Sequence, residues 1–167
     1  MESHARALGH PIHPMLIVFP LGLFVISLVF DILYYITGAV GFATAAFWNI
    51  IAGVILGLIA AVFGLWDWLA IPSNTRAKHI GLIHGGGNVV VVVLFLISWL
   101  LRLGTVDYRP NVVGFILEII ATALVFFIAW LGGELVDRLG VGVTPGANLD
   151  APSSLTEESL PAHSATR

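Results

Sequence analysis

The sequence predicts an all-α integral membrane protein, an up-down-up-down bundle of four helices. Of its 167 residues, 58% are hydrophobic and only 10% are charged, whereas a soluble domain carries about a quarter charged residues. Four apolar stretches are each long enough to cross a bilayer, and the short links between them favour antiparallel neighbours. Six polar residues also form pairs 18 positions apart: His13 and Asp31, Asn49 and Asp67, His84 and Arg102.

The spacing of these pairs predicts a polar layer at each end of the bundle. Eighteen residues make five helical turns and rise about 27 Å, close to the hydrocarbon thickness of a membrane. The two members of a pair therefore lie on one helix face, one near each membrane boundary. Ionisable groups inside a membrane are costly and normally face the bundle interior, so we expect the candidate sites in these two layers.

The first span follows a short N-terminal segment, residues 1–13, which contains a His-Pro motif. The first span runs from Pro14 to Ile36, because proline is tolerated in the first turn of a helix and prevents its extension backward. It is longer than the apolar core of a secretory signal, about 7–15 residues, so we expect it to be retained. The second span runs from Thr44 to Leu69.

The third and fourth spans complete a bundle domain that covers residues 14–140. They run from Ile80 to Leu101 and from Val112 to Leu131. Residues 141–167 are rich in Pro, Ser, Ala, Thr and Glu. They contain too few large apolar groups to offset the entropy of ordering the chain, so they are predicted to form a disordered tail.

Charge and cysteine content exclude several classes of function. The net charge is -3 and no basic patch is present, so no nucleic-acid partner is predicted. The chain has no Cys, which excludes disulfides, Cys-ligated iron–sulfur clusters and a thiol nucleophile. No Ser or Thr lies in a setting typical of a catalytic triad. A hydrolytic enzyme is therefore the least favoured class, and the sequence favours a protein without enzymatic activity but does not exclude an enzyme.

The orientation in the membrane follows from Lys and Arg near the span ends. One side carries four of them: Arg6, Arg76, Lys78 and Arg138. The other side carries two: Arg102 and Arg109. This excess predicts a multi-pass protein of the cell membrane with both termini in the cytoplasm.

Small residues mark the faces on which the helices approach one another. The second span carries a stripe of small and polar residues: Asn49, Gly53, Gly57, Ala60, Gly64 and Asp67. Because small side chains let membrane helices pack closely, we expect this face to contact the other helices. In the third span three glycines, residues 85–87, follow His84 and permit close contact with a helix or a flat ligand.

The predicted layer far from the termini contains Asp31, Asn49, Arg102 and Glu118. In a structural interpretation, Arg102 pairs with Asp31 or Glu118, since an unpaired buried charge is expensive. In a functional interpretation, two carboxylates near one cation form an ion or proton entry point, because burial favours proton uptake by a net negative site. The sequence leaves both interpretations open.

The predicted layer near the termini contains the candidate ligands His10, His13, Asp67, His84 and Glu134. Imidazole and carboxylate groups suit a first-row transition metal, and two histidines on different helices can ligate haem b iron from opposite faces. We expect His13 and His84 to approach each other within reach of Asp67. Alternatively, these groups only fix the helix ends by hydrogen bonds, or they handle protons or small solutes.

Motifs spread along the chain carry a family resemblance. They are His10-Pro11-Ile12-His13-Pro14, Phe19-Pro20-Leu21-Gly22 with Asp31, Gly64-Leu65-Trp66-Asp67-Trp68, and Gly132-Gly133-Glu134-Leu135-Val136. In this order they resemble a bacterial and archaeal membrane-protein family known as domain of unknown function 2231 (DUF2231), over residues 9–143. The resemblance implies a four-span membrane protein and supplies no mechanism, because the family has no established activity.

Three functional hypotheses follow from these observations. The protein binds haem or a metal in the layer near the termini, or it is a small proton or solute carrier, or it is a structural or accessory subunit. A carrier needs a wet route between the two layers, yet the middle of each span is apolar. A subunit would dock its small-residue face on a membrane-complex partner or on a second copy of the chain. The lipid bilayer is a partner in all three.

Overall fold

The structure, a computed structural model, describes residues 1–155. Within this range the chain forms four long helices: α1 (Ile12–Thr37), α2 (Val40–Ala70), α3 (Arg76–Arg102) and α4 (Val112–Gly133). Two short strands, β1 (Arg6–Ala7) and β2 (His10–Pro11), pair antiparallel before α1. A 3-10 turn, Val106–Tyr108, precedes α4, and a π-helical turn, Glu134–Arg138, follows it. All four spans are long and apolar enough to cross a membrane, which confirms the predicted fold class.

Capping residues determine where the helices begin and end. Gly38 adopts a left-handed conformation, with φ of 69°, and ends α1. The Thr75 hydroxyl accepts a hydrogen bond from the Lys78 backbone N–H at 3.1 Å and caps α3. Asn111 caps α4 in the same way, with its side chain 2.7 Å from the Gly114 nitrogen. Each cap satisfies a backbone group that the helix itself leaves without a partner.

Three helices begin earlier than the sequence predicts. α1 begins at Ile12 rather than Pro14, because Pro14 falls within the first turn, where proline is tolerated. The start of α2 is Val40 rather than Thr44, and the start of α3 is Arg76 rather than Ile80. Hydropathy marks only the apolar part of a helix, whereas the helix itself continues to the residue that caps it. The predicted crossings are therefore correct, and the helices extend beyond them.

The bundle is assembled from two helix pairs. α1 packs most extensively against α2, and α3 packs most extensively against α4, with fewer contacts between α2 and α3. The small-residue stripe of α2 lies in these contacts: a Cβ atom on Gly53 would lie 2.7 Å from Phe24, and one on Gly57 would lie 3.4 Å from Val92. The predicted packing face of the second span is thus confirmed.

An apolar layer separates the two ends of the bundle. At its centre Phe24 of α1 stacks on Phe95 of α3, with ring centroids 4.1 Å apart and an interplanar angle of 8°. The other buried members of this cluster are Ile50, Val54, Val91, Ala121 and Val125. Because every side chain in this cluster is apolar, the polar groups of the bundle are confined to its two ends.

The first residues and the segment after α4 meet on one side of the bundle. The amino group of Met1 donates a hydrogen bond to the Gly140 carbonyl at 2.8 Å, and the Gly142 N–H donates to the Met1 carbonyl. Further along, the Ser154 hydroxyl donates to the Leu8 carbonyl at 3.0 Å. The region predicted to be disordered begins at residue 141. Of this region, residues 141–155 are described, and two of the hydrogen bonds above are made by Gly142 and Ser154 within it. Residues 156–167 lie outside the described residues.

Candidate functional site

Three buried charged residues form the layer far from the termini, which we call the charge layer: Asp31, Arg102 and Glu118. The Arg102 guanidinium donates through Nη1 to Asp31 Oδ1 at 3.0 Å and through Nη2 to Asp31 Oδ2 and Glu118 Oε1. Their exposed fractions are 0%, 1% and 0% in chain order. Arg102 therefore contacts both carboxylates that the sequence offers as its partners.

Ser98 completes the charge layer, and sequence reasoning missed it. It lies one turn before Arg102 on α3, and its hydroxyl donates to Glu118 Oε1 at 2.5 Å. Glu118 Oε1 therefore accepts two hydrogen bonds, whereas Oε2 is buried without a partner among the described residues. A position four residues from Arg102 on the same helix is the signal that identifies Ser98 as a neighbour.

Asn49 does not join the charge layer, although the 18-residue spacing from Asp67 predicted that it would. Among residues 1–155, no hydrogen bond or ion pair connects Asn49 with Asp31, Arg102 or Glu118. At this end of α2 the fully buried positions are Ala43, Ala46 and Ile50. Because the neighbouring position Ile50 faces the core, Asn49 is turned partly away from it.

At the other end of the bundle His13 and His84 form a histidine pair. Their ring centroids are 6.4 Å apart, and the ring planes are nearly perpendicular, at 84°. His13 projects from α1 and His84 from α3, so the pair joins the two helix hairpins of the bundle. The predicted approach of these histidines is thus observed.

The helices beside the histidine pair hold each ring in the same way. His13 Nδ1 lies 2.9 Å from the Ala60 carbonyl of α2, and His84 Nδ1 lies 2.9 Å from the Ile128 carbonyl of α4. One turn further along, Gly64 lies against the His13 ring and Gly132 lies against the His84 ring. A side chain at either glycine would collide with the imidazole that it faces.

The hydrogen bonds of the histidine pair indicate which ring nitrogen carries the proton. A backbone carbonyl is only an acceptor, so Nδ1 of each neutral ring is the donor and Nε2 keeps its lone pair. The Asn88 side-chain amide lies 3.2 Å from His84 Nε2 and donates to it. Both rings are therefore in the tautomer with the lone pair on Nε2, and a metal ion at His84 Nε2 would replace the hydrogen bond from Asn88.

The contacts of the histidine pair belong to a two-helix repeat. Four pairs of residues on α1 and α3 are each separated by 71 positions: His13 and His84, Phe24 and Phe95, Ser27 and Ser98, Asp31 and Arg102. The contacts on α2 and α4 repeat after 68 positions: Ala60 and Ile128, Gly64 and Gly132. The 18-residue spacing compares positions within one span, so it does not reveal this repeat between the two halves of the chain, although four of these six pairs are identical. A comparison of polar and aromatic spacings between the chain's halves would have found it.

Asp67, which the sequence placed beside the histidines, has other partners. Its carboxylate accepts hydrogen bonds from the Ser3 hydroxyl at 2.7 and 2.8 Å and from the His4 backbone N–H at 2.8 Å. The Ala5 N–H also donates to it, at 3.3 Å. Asp67 therefore anchors the N-terminal segment to the end of α2.

The two remaining candidate ligands also have separate partners. His10 Nε2 lies 3.2 Å from the Ser154 hydroxyl at the surface, and Glu134 forms an ion pair with Arg76. Among residues 1–155, no group of three or more His, Cys, Asp or Glu residues is placed to hold a metal ion. Of the five predicted ligands, the structure brings together only the histidine pair.

A comparison with known families identifies the family of the chain. Residues 9–145 match the family DUF2231, described as a predicted membrane protein. The chain belongs to this family. The match covers the charge layer, the histidine pair and all four helices, so the family resemblance carried by the sequence motifs is confirmed. Neither a curated protein nor a solved structure matches the chain.

Proposed function

We propose that the histidine pair binds the iron of one haem b, with His13 and His84 as its two axial ligands. The distance between the rings is the observation that carries this proposal. Metal–nitrogen bonds are about 2 Å long, so two imidazoles on opposite sides of one metal have ring centres about 6 Å apart. The observed separation of 6.4 Å agrees with that value.

The hydrogen bonds of each ring support the same assignment. A histidine that ligates a metal through one nitrogen almost always donates its other ring N–H to a carbonyl, a carboxylate or water, which fixes the ring orientation. His13 and His84 make this bond to the carbonyls of Ala60 and Ile128. The rings are therefore oriented before any ligand binds.

The number of available ligands favours haem over a bare metal ion. A first-row ion such as zinc is normally held by three or four protein ligands, and no group of three such residues is present among residues 1–155. Haem iron already has four porphyrin nitrogens and takes only one or two axial ligands from the protein. Gly85 and Gly86, which the sequence offered as a contact for a helix or a flat ligand, are exposed, and Cβ atoms there would contact nothing within 4 Å.

The proposed ligation implies electron transfer as the function. Iron held by both His13 and His84 would have no open position for oxygen or substrate, so the chemistry it would supply is the gain and loss of one electron. The surrounding protein would hold the haem inside the bundle and set its reduction potential through burial and through the hydrogen bonds of the two imidazoles.

A visible absorption spectrum tests the proposal. Protein purified in detergent, as isolated and after titration with haem, is expected to show a Soret band of low-spin haem at one haem per chain. His13→Ala and His84→Ala should each abolish that spectrum, whereas His79→Ala should retain it, because His79 is an exposed residue in the first turn of α3. Protein that binds no haem, or histidine variants that bind it as well as wild type, would contradict the proposal.

A further inference from the structure

We propose that the charge layer is a proton-binding site, in which Glu118 carries one exchangeable proton on Oε2. This site lies at the opposite end of the bundle from the histidine pair, and the proposal does not depend on haem. It rests on the charge balance of the layer, on the orphaned carboxyl oxygen and on the apolar layer that confines the site to one membrane face.

Charge balance requires a proton in the layer. The charged side chains around Glu118 are Asp31 from α1 and Arg102 from α3, and the one charged residue of α2, Asp67, lies at the opposite end of the bundle. Two carboxylates and one guanidinium leave a net charge of -1 if all are ionised. Burial of an uncompensated charge is expensive, and such a group takes up a proton instead.

The hydrogen bonds indicate which carboxyl group holds that proton. Both oxygens of Asp31 accept N–H groups of Arg102, which is the bidentate arrangement of an ionised carboxylate. In Glu118 only Oε1 accepts hydrogen bonds, from Arg102 and Ser98, and Oε2 has no partner among the described residues. This is the pattern of a carboxylic acid, with Oε1 as its carbonyl oxygen and Oε2 as its hydroxyl.

The surroundings of Glu118 suit exchange with water. Three further polar atoms on the same helix pair are buried without a partner among residues 1–155: Trp99 Nε1, Arg102 Nε and Thr122 Oγ1. Trp99 lies three residues before Arg102 and Thr122 lies four residues after Glu118, about one helical turn in each case, and buried polar atoms without a protein partner are positions that water can satisfy. The apolar layer around Phe24 and Phe95 closes the route toward the histidine pair. The proton therefore exchanges toward the connection between α3 and α4, which carries the exposed ion pair of Asp107 and Arg109.

Infrared spectroscopy of the full chain in detergent or liposomes tests this assignment. At neutral pH the wild-type protein should show the C=O band of one protonated carboxyl group. The band should shift when the protein is labelled with ¹³C-glutamate, remain when it is labelled with ¹³C-aspartate, and shift in D₂O because the proton exchanges. A wild-type protein without the band, a band that follows aspartate labelling, or a band unmoved by D₂O would overturn the proposal.

Single-residue variants distinguish the band of Glu118 from that of any other protonated carboxyl group. Glu118→Gln should abolish the band, whereas Glu134→Gln should retain it, since Glu134 pairs with Arg76 near the termini. Asp31→Asn should also abolish the band although Glu118 is still present, because Arg102 then balances an ionised Glu118. A band that persists in Glu118→Gln or in Asp31→Asn would overturn the proposal, and the labelling result on wild type stands even if a variant fails to fold.

Discussion

At the scale of single residues, Arg102 determines how the charge layer is held together. It is almost completely buried, and it contacts carboxyl groups on two different helices, Asp31 of α1 and Glu118 of α4. The sequence predicted these partners because one cation and two carboxylates lie at the same depth in antiparallel spans. It did not predict the partners of Asp67. These are the Ser3 hydroxyl and two backbone N–H groups of the N-terminal segment, whose irregular conformation follows no helical period.

The central position of Arg102 predicts a large loss of stability when it is removed. Arg102→Leu leaves the carboxyl groups of Asp31 and Glu118 buried without their cation, and breaking a buried ion pair costs about 3–5 kcal/mol. Arg109→Leu is the matched control, because Arg109 is 47% exposed in a connecting loop and an exposed pair contributes about 0–1 kcal/mol. Thermal unfolding in detergent measures both variants, and equal losses of stability would contradict the role given to Arg102.

At the scale of helices, the sequence predicted the small-residue stripe of α2, but it predicted only in part which side chains that stripe contacts. Gly53, Gly57 and Gly64 contact Phe24, Val92 and His13, as close packing requires. Asn49 was assigned to the same face by its spacing and lies outside the charge layer. A helical wheel assumes one straight, fixed face, whereas a helix of 31 residues meets different neighbours at each end.

The contact between Gly53 and Phe24 predicts that α2 tolerates a methyl group at some glycines and not at others. A Cβ atom in Gly53→Ala would lie 2.7 Å from the Phe24 ring, so the ring must shift and disturb its stack on Phe95. Overpacking of this kind costs about 1–3 kcal/mol. Gly41→Ala on the same helix meets nothing within 4 Å and should be neutral or slightly stabilising. Thermal unfolding of the two variants should differ, and a neutral Gly53→Ala would refute the tight contact.

At the scale of the whole molecule, two similar helix hairpins explain why polar chemistry lies in two layers. α1 and α3 run in the same direction and carry equivalent residues at each depth: a histidine, a phenylalanine, a serine and a charged group. The sequence alone predicted the layers from pairs 18 positions apart within one helix. It could not show which helices are neighbours, so five metal-ligand candidates at one depth were treated as one site, although only His13 and His84 meet.

The hairpin architecture predicts that the chain enters and leaves the membrane on one side. Each hairpin crosses twice, and Met1 is hydrogen-bonded to Gly140 beyond the last span. We propose that this side is cytoplasmic, because it carries the larger number of Lys and Arg residues. The chain has no Cys, so a single introduced cysteine is the only thiol that the reagent can label. Cysteines added before Met1 and after Arg167 should react with a membrane-impermeant thiol reagent only in inside-out vesicles, and Asp107→Cys only in right-side-out vesicles. Labelling of the two termini from opposite sides would contradict the four-span topology, and labelling of both from outside would reverse the orientation.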